Sequence, residues 1–446
     1  MSFRRAVLLV LVMLGVPACS GNINHTGSPV PLITLRASVS SSGVQANIGA
    51  ISRPAISGDG RFTAFSSSAS TLVAGDTNGF SDIFLFDRLS GTTTRVSVDS
   101  TGAQPLTGGD AFNPAISADG RYVAFDSNAP DLVAGDGNGV RDVFWKDTQM
   151  GTVLLVSRNG ATQGDLDSAN PSISADGRYV VFESASTTLG GPASPPGTLN
   201  IYLWDRNPGG SPILTRVSVG NGGAATNASS RNSAISADGR FVAFGSDATN
   251  LLSVASAQTD VYLWDRTGAL AVRRVSITPT GGEPTTGGSD SPSISGDGRF
   301  VAFTSQATDL VTPGSIPFTS AVFVRDMALT LSATVLVSVN SDGLQSTFGS
   351  QNASISGDGT RVAFDSLASN LVVDDTNAFE DVFVHDLKAG TTVRVSVRTY
   401  GGQALGGDSV LPALSADGQS VAFNSAAFNL VPGDTNGVPD FFVRGP

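Results

Sequence analysis

Short apolar runs broken by Gly, Ser, Asp and Asn recur along this chain in a fixed order. Pro-Ala-Ile-Ser-Gly-Asp-Gly-Arg-Phe-Thr-Ala-Phe at 54–65 returns in closely similar form at 114–125, 171–182, 233–244, 292–303, 353–364 and 412–423. Copies spaced about sixty residues apart mark a repeat architecture. Each copy reads as four strands. The first is short, as in Ala55–Ser57, and ends at Asp59-Gly60, where Asp bonds its own backbone and Gly supplies the positive φ of a hairpin. The second, Arg61–Ser67, is anchored by Phe65, with Phe125, Phe182, Phe244, Phe303, Phe364 and Phe423 in the other copies. The third, Ile83–Phe86, is aromatic at its centre every time: Phe84, Phe144, Tyr202, Tyr262, Phe323, Phe383 and Phe442. The fourth is expected at Arg95–Val98, echoed at Arg216–Val219 and Arg394–Val397.

Ile83 and Leu85 point to one side of the third strand and Phe84 to the other, so the strand needs cover on both faces. Small four-stranded sheets stacked radially provide it, which is the β-propeller. Ala64, Ala124, Ala243, Ala302, Ala363 and Ala422 beside the phenylalanines would let neighbouring blades approach closely. The seventh copy stops at Pro446 without a fourth strand, and Arg36–Val39 carries the fourth-strand pattern ahead of the first copy. The expected fold is all-β: a seven-bladed propeller over 33–446, with the N-terminal strand completing the last blade and leaving no open edge.

The motif Ser-x-Asp-Gly-Arg-(Phe/Tyr)-Val-Ala-Phe, followed by Asp-(Ile/Val)-(Phe/Tyr)-(Leu/Val)-x-Asp, resembles the WD-like propeller repeat of TolB-type periplasmic proteins. The resemblance implies the fold. Repeats of this kind serve translocation accessories, lectin-like binders and the non-catalytic domains of some peptidases, so they do not specify one activity. TolB-type propellers commonly have six blades and a separate N-terminal domain, and neither is read here, so the TolB role does not transfer.

Residues 1–19 read as a signal peptide: Arg4 and Arg5 precede an apolar run from Ala6 to Val16, too short to span a bilayer. Val-Pro-Ala-Cys at 16–19 resembles the lipobox of bacterial lipoproteins, which implies lipidation of Cys19, the sole cysteine. Cleavage after Ala18 and plain secretion is the rival. Residues 20–32, small and polar, form a tether. The expected location is the cell envelope, lipid-anchored in the periplasm or outer membrane, or else secreted. A net charge of −12 argues against a nucleic-acid partner, which requires clustered Lys and Arg. The membrane is reached through the lipid alone, and the chain is expected to be a monomer.

Strand parity puts the first-to-second and third-to-fourth connections on one face and the longer, more variable connections on the other. Long loops on a rigid scaffold usually carry recognition, so a protein or glycan ligand is expected on the long-loop face. Four of these loops share a spacing of acidic and amide oxygens: Asp76, Asn78, Asp82; Asp136, Asn138, Asp142; Asp375, Asn377, Asp381; and Asp434, Asn436, Asp440. The same residues serve either as turn formers or as a weak calcium site, since two carboxylates fall short of the six to eight oxygens calcium prefers.

Catalytic chemistry is sparse. His25 lies in the tether, and His385 is expected at a partly exposed strand end. No Ser-His-Asp set or His/Cys metal site can be assembled. The Asp-Gly aspartates and Asp87, Asp147, Asp205, Asp265, Asp326 and Asp386 read as turn and hairpin caps. Glu183, Glu283 and Glu380 are the only glutamates. The leading expectation is therefore a non-enzymatic binding protein with no cofactor apart from the calcium candidate. The alternatives are a carbohydrate-active propeller using paired carboxylates or a calcium-stabilised surface adhesin.

Overall fold

The two aromatic columns of the repeat meet across adjacent strands. Phe65 lies opposite Phe84 in register, and their rings stack at 5.8 Å. The same stacked pair forms in every blade, as Phe125–Phe144, Phe182–Tyr202, Phe244–Tyr262, Phe303–Phe323, Phe364–Phe383 and Phe423–Phe442. Offset stacking suits the ring quadrupoles and adds to the burial of the rings. The computed structural model describes residues 32–49, 52–268, 272–315, 319–331 and 333–446. They form seven four-stranded antiparallel sheets and one extra two-stranded hairpin, Arg158–Asn159 with Thr162–Gln163.

Blade 1 consists of Ala55–Ile56, Phe62–Ser67, Asp82–Asp87 and Thr92–Arg95. Blades 2 to 6 follow at 111–155, 168–216, 230–274, 289–336 and 350–394. Blade 7 takes three strands from 409–445 and its outermost strand, Ile33–Arg36, from the start of the fold. Ile33 lies opposite Gly445 and Arg36 opposite Phe442. Closure is as the sequence predicts, but the fourth strand is displaced: it ends at the arginine of its motif rather than beginning there. The rest of the motif is an exit. The Val96 N–H bonds the Ile83 carbonyl, and the Ser97 hydroxyl accepts from the Ile83 N–H while donating to Asp82 at 2.6 Å. The serine thereby ties the strand exit to a buried carboxylate, which ends the ladder.

Blades interlock through the alanines. Ala64 packs in the cluster that holds Phe125 and Phe144 of the next blade, Ala124 with Phe182, Ala243 with Phe303, Ala302 with Phe364, and Ala363 with Phe423. A larger side chain there would push the sheets apart.

The short turns form a second ring, nearer the axis. The Gly58 N–H donates to the Ala118 carbonyl, Ala118 to Ala175, Ala175 to Ala237, Ala237 to Gly296, Gly296 to Gly357 and Gly357 to Ala416, each at 2.8–3.0 Å; Asp417 returns to Gly58 at 3.1 Å. Main chains approach this closely only because each position is Gly or Ala. A side chain on Gly296 or Gly357 would meet the next link's carbonyl oxygen at 3.0 Å. The ring narrows the central channel at the short-turn face.

Candidate functional site

The two faces of the disc are built differently. On the short-turn face each turn is also braced by its own side chains: Ser57 Oγ donates to Asp59, which also accepts the Arg61 N–H. Arg61 then holds Asp87 through two nitrogens, at 2.9 and 2.7 Å. Arg121–Asp147, Arg178–Asp205, Arg240–Asp265 and Arg299–Asp326 repeat this pairing. Asp87 also accepts the Leu89 N–H, the hairpin cap expected from the sequence, and these bonds hold its carboxyl down at about 2.

On the long-loop face the structure brings each set of calcium-candidate residues together, and in three of the four sets it adds a guanidinium. Arg95 bonds Asp76 at 3.2 Å and Asp82 at 3.0 Å; Arg394 lies at 3.0 and 3.1 Å from Asp375 and Asp381; Arg36 pairs with Asp434 and Asp440 at 2.9 and 3.3 Å. Asn78, Asn138, Asn377 and Asn436 each donate to the second aspartate of their loop and accept a backbone N–H two residues on. They behave as turn residues. The cation between the carboxylates is the arginine of the fourth-strand motif, a partner the loop spacing alone did not reveal.

Blade 2 differs. In the register where Arg95 faces Phe84, Leu155 faces Phe144. Asp142 keeps its bonds from Asn138 and Ser157. Burial, reinforced by the Asp142 charge, pushes the Asp136 carboxyl up to about 6.

Behind the channel wall lies a set of carboxylates the sequence reading did not single out as a group. Asp126, Glu183 and Asp365 occupy one position of the second strand in blades 2, 3 and 6. Each binds the asparagine of its own innermost strand and the backbone N–H at the matching position of the next blade: Asp126 takes Asn113 and Asn170, Glu183 takes Asn170 and Asn232, and Asp365 takes Asn352 and Leu411. Blade 4 has Gly245 at this position, and Asp290 of blade 5 supplies the acceptor for Asn232 Nδ2. Burial raises all three carboxyls, Asp126 and Asp365 to about 6. The available signal was an Asn-Pro or Asn-Ala step before the Ser-x-Asp-Gly turn, matched to an acidic residue directly after the anchoring phenylalanine.

Glu283 accepts the Ala257 N–H and the Ser256 hydroxyl, and pairs with Arg274 at 3.5 Å. Glu380 accepts from Gln351 of an innermost strand at 3.3 Å; burial and the neighbouring Asp365 carboxylate raise it to about 7. His385 is not at a partly exposed end. It is buried, as are Phe86, Lys146, Trp204, Trp264 and Arg325 in the same register. This register is covered by neighbouring loops: Lys146 Nζ donates to the carbonyls of Val98 and Asp99 in the preceding connection. His385 Nδ1 bonds Thr392, and burial lowers its pKa, leaving a neutral ring. Cys19, His25, the signal segment and residues 20–31 of the tether lie outside the described residues.

The innermost strands enclose a channel of about 450 Å³. Its wall is aliphatic and amide-bearing, with Arg53 the one charged side chain among the described lining residues.

No protein-family model and no curated protein matches the chain. Several solved structures are similar in fold. The oligogalacturonate lyase of Vibrio parahaemolyticus is 13% identical, covers 93% of this chain and 97% of its own, and superposes with a TM-score of 0.52. The β-propeller domain of the Trilobed protease of Pyrococcus furiosus is 10% identical over 89% of this chain and 95% of that one, at 0.52. TolB of Acinetobacter baumannii is 13% identical over 79% of this chain and 66% of that one, at 0.42. The chain is a β-propeller in architecture, and at these identities the likeness is one of fold. Among the described residues, no helix is long and apolar enough to cross a membrane.

Proposed function

We propose that this chain is a non-enzymatic envelope propeller, lipid-anchored through Cys19, that binds a protein or glycan partner through its long-loop face. The supporting observation is the inequality of the two faces. The short-turn face is occupied by repeated turns, bidentate Arg–Asp pairs and the ring of backbone hydrogen bonds. The short-turn face exposes Leu89, Met150, Leu329 and Leu331 at its hairpin tips, while the long-loop face displays large apolar side chains at one recurring loop position, two or three residues after a glutamine: Ile48, Leu106, Leu166, Phe348 and Leu405, with Phe428 beside the last. They fall in the connections that lead into blades 1, 2, 3, 6 and 7. An exposed apolar side chain held at the same loop position in five blades supports an interaction surface there. The purified chain immobilised over an envelope extract, with a glycan array in parallel, tests this. A specific ligand captured by the wild type and lost in Phe348→Asp/Leu405→Asp supports the reading; no capture, or capture indifferent to the variant, removes it.

The carbohydrate-active alternative is favoured by one observation, Glu380 beside Asp365, where burial and the neighbouring carboxylate raise Glu380 to about 7. An acid poised there suits glycosidic chemistry. Release of sugar from acidic or neutral polysaccharides, abolished by Glu380→Gln, would establish it. A calcium role narrows to blade 2, where Asp136 and Asp142 face each other without an arginine. A melting temperature that is unmoved by millimolar calcium removes that role.

A further inference from the structure

At the third position of the innermost strands the backbone takes a positive φ: Asn113 50°, Asn170 53°, Asn232 54°, Ser291 55°, Asn352 55° and Leu411 58°. The first copy puts arginine in this register, Arg53-Pro-Ala-Ile against Asn113-Pro-Ala-Ile. The one departure in charge from the repeat at this register therefore sits at the axis of the molecule. Arg53 reaches two blades round the channel, and its Nη2 donates to the Asn352 carbonyl at 2.7 Å. Among the described residues no carboxylate lies within ion-pair distance of it. The charge that acts on it, Asp365, stands behind Asn352 with its oxygens already engaged by Asn352 and Leu411. The guanidinium is open to the channel yet surrounded by protein, and that loss of bulk water disfavours its charge. The remaining wall mixes asparagine amides and serine hydroxyls with hydrocarbon, the latter from Ile56, Ile116, Ile173 and Leu414 toward the narrow end and the rings of Pro54 and Pro114 above them.

A guanidinium keeps five N–H donors in a planar fork that matches an oxyanion, and Arg53 spends one on Asn352. A single cation above an aliphatic end of the channel suits a molecule with one anionic head and a short apolar body. A cavity of about 450 Å³ falls in the ordinary range for small-molecule sites. We infer that the channel binds a small amphiphilic carboxylate, its head on Arg53 and its hydrocarbon against the isoleucine end. This site is separate from the loop crests and stands whether or not those capture a partner.

Calorimetric titration and thermal melting of the full chain with octanoate test the inference, with octanamide and inorganic phosphate as matched probes. Wild type should bind octanoate and melt higher in its presence, while octanamide and phosphate bind at least about tenfold more weakly, the difference expected for losing a charge-assisted hydrogen bond or the apolar contact. Arg53→Asn, which installs the residue found in four sister blades, should fold normally and lose octanoate binding by about tenfold or more. Arg53→Lys, which keeps the charge without the fork, should fall between. No octanoate binding by wild type, equal binding by Arg53→Asn, or octanamide or phosphate matching octanoate would each overturn the proposal. Partner capture by the long-loop face is read separately, in Arg53→Asn and in Phe348→Asp/Leu405→Asp, so failure of one assignment leaves the other measurable.

Discussion

Single side chains decide where this disc holds charge. Arg95, Arg394 and Arg36 neutralise paired aspartates that burial alone would push toward the protonated form, whereas blade 2 keeps the aspartates and substitutes Leu155 for the arginine. In blade 5 Leu336 replaces the arginine and Ala321 the aspartate, so acid and base are lost together there. The imbalance of blade 2 has a pH signature. Burial and the Asp142 charge raise the folded Asp136 carboxyl to about 6, above its ordinary 3.8, so the folded chain binds the extra proton and stability falls as pH rises between those values. Leu155→Arg should restore the missing pair and raise stability at pH 7 by roughly 1–3 kcal/mol, the range for hydrogen bonds to charged groups. The gain should shrink below pH 4, where Asp136 is protonated in both states. Melting curves at pH 4 and 7 check both parts, and a gain independent of pH would assign it to packing instead.

At the scale of strands, the carboxylates behind the channel fasten each innermost strand to the next. Glu183 is the clearest case, one oxygen accepting from the Asn170 amide and the Asn232 N–H. Glu183→Ala leaves two buried donors without acceptors and should cost at least about 2 kcal/mol, while Glu183→Gln keeps an acceptor and should cost under about 1 kcal/mol. Urea unfolding distinguishes them, and equal losses would mean that charge, not acceptance, matters. This fastening also shows where the sequence was legible. Alternation, Asp-Gly turns and the aromatic columns are local signals repeated seven times, so strand number, blade number and closure can be read directly. The bond from Glu183 to Asn232 joins residues 49 apart. The bonds from Arg95 to Asp76 and Asp82 are 19 and 13 residues apart. Such partners become visible only once the register of the sheets is known. For the same reason the sequence points to a strand start at the arginine of the fourth-strand motif, whose role is to end the strand on a carboxylate, and to a partly exposed strand end at His385, whose covering loops come from another part of the chain.

At the scale of the molecule, stability depends on how the circle is closed. Arg36 is buried against Asp434 and Asp440, and Ser38 binds Asp440 at 2.6 Å while accepting the Phe441 N–H. Arg36→Met would leave two buried carboxylates facing each other and should destabilise the fold by about 3–5 kcal/mol at neutral pH. The loss should be smaller at low pH, where the carboxyls are neutral, and chemical unfolding at two pH values measures the difference. Because Ile33 lies opposite Gly445, the chain's described beginning and its last residues are neighbours in a single sheet. The position of the break in the polypeptide is therefore arbitrary with respect to the architecture. A circular permutant in which a short Gly-Ser bridge joins Pro446 to Leu32 and new termini open between Ala193 and Pro196 should adopt the same disc, while moving the point from which it begins to unzip from blade 7 to blade 3.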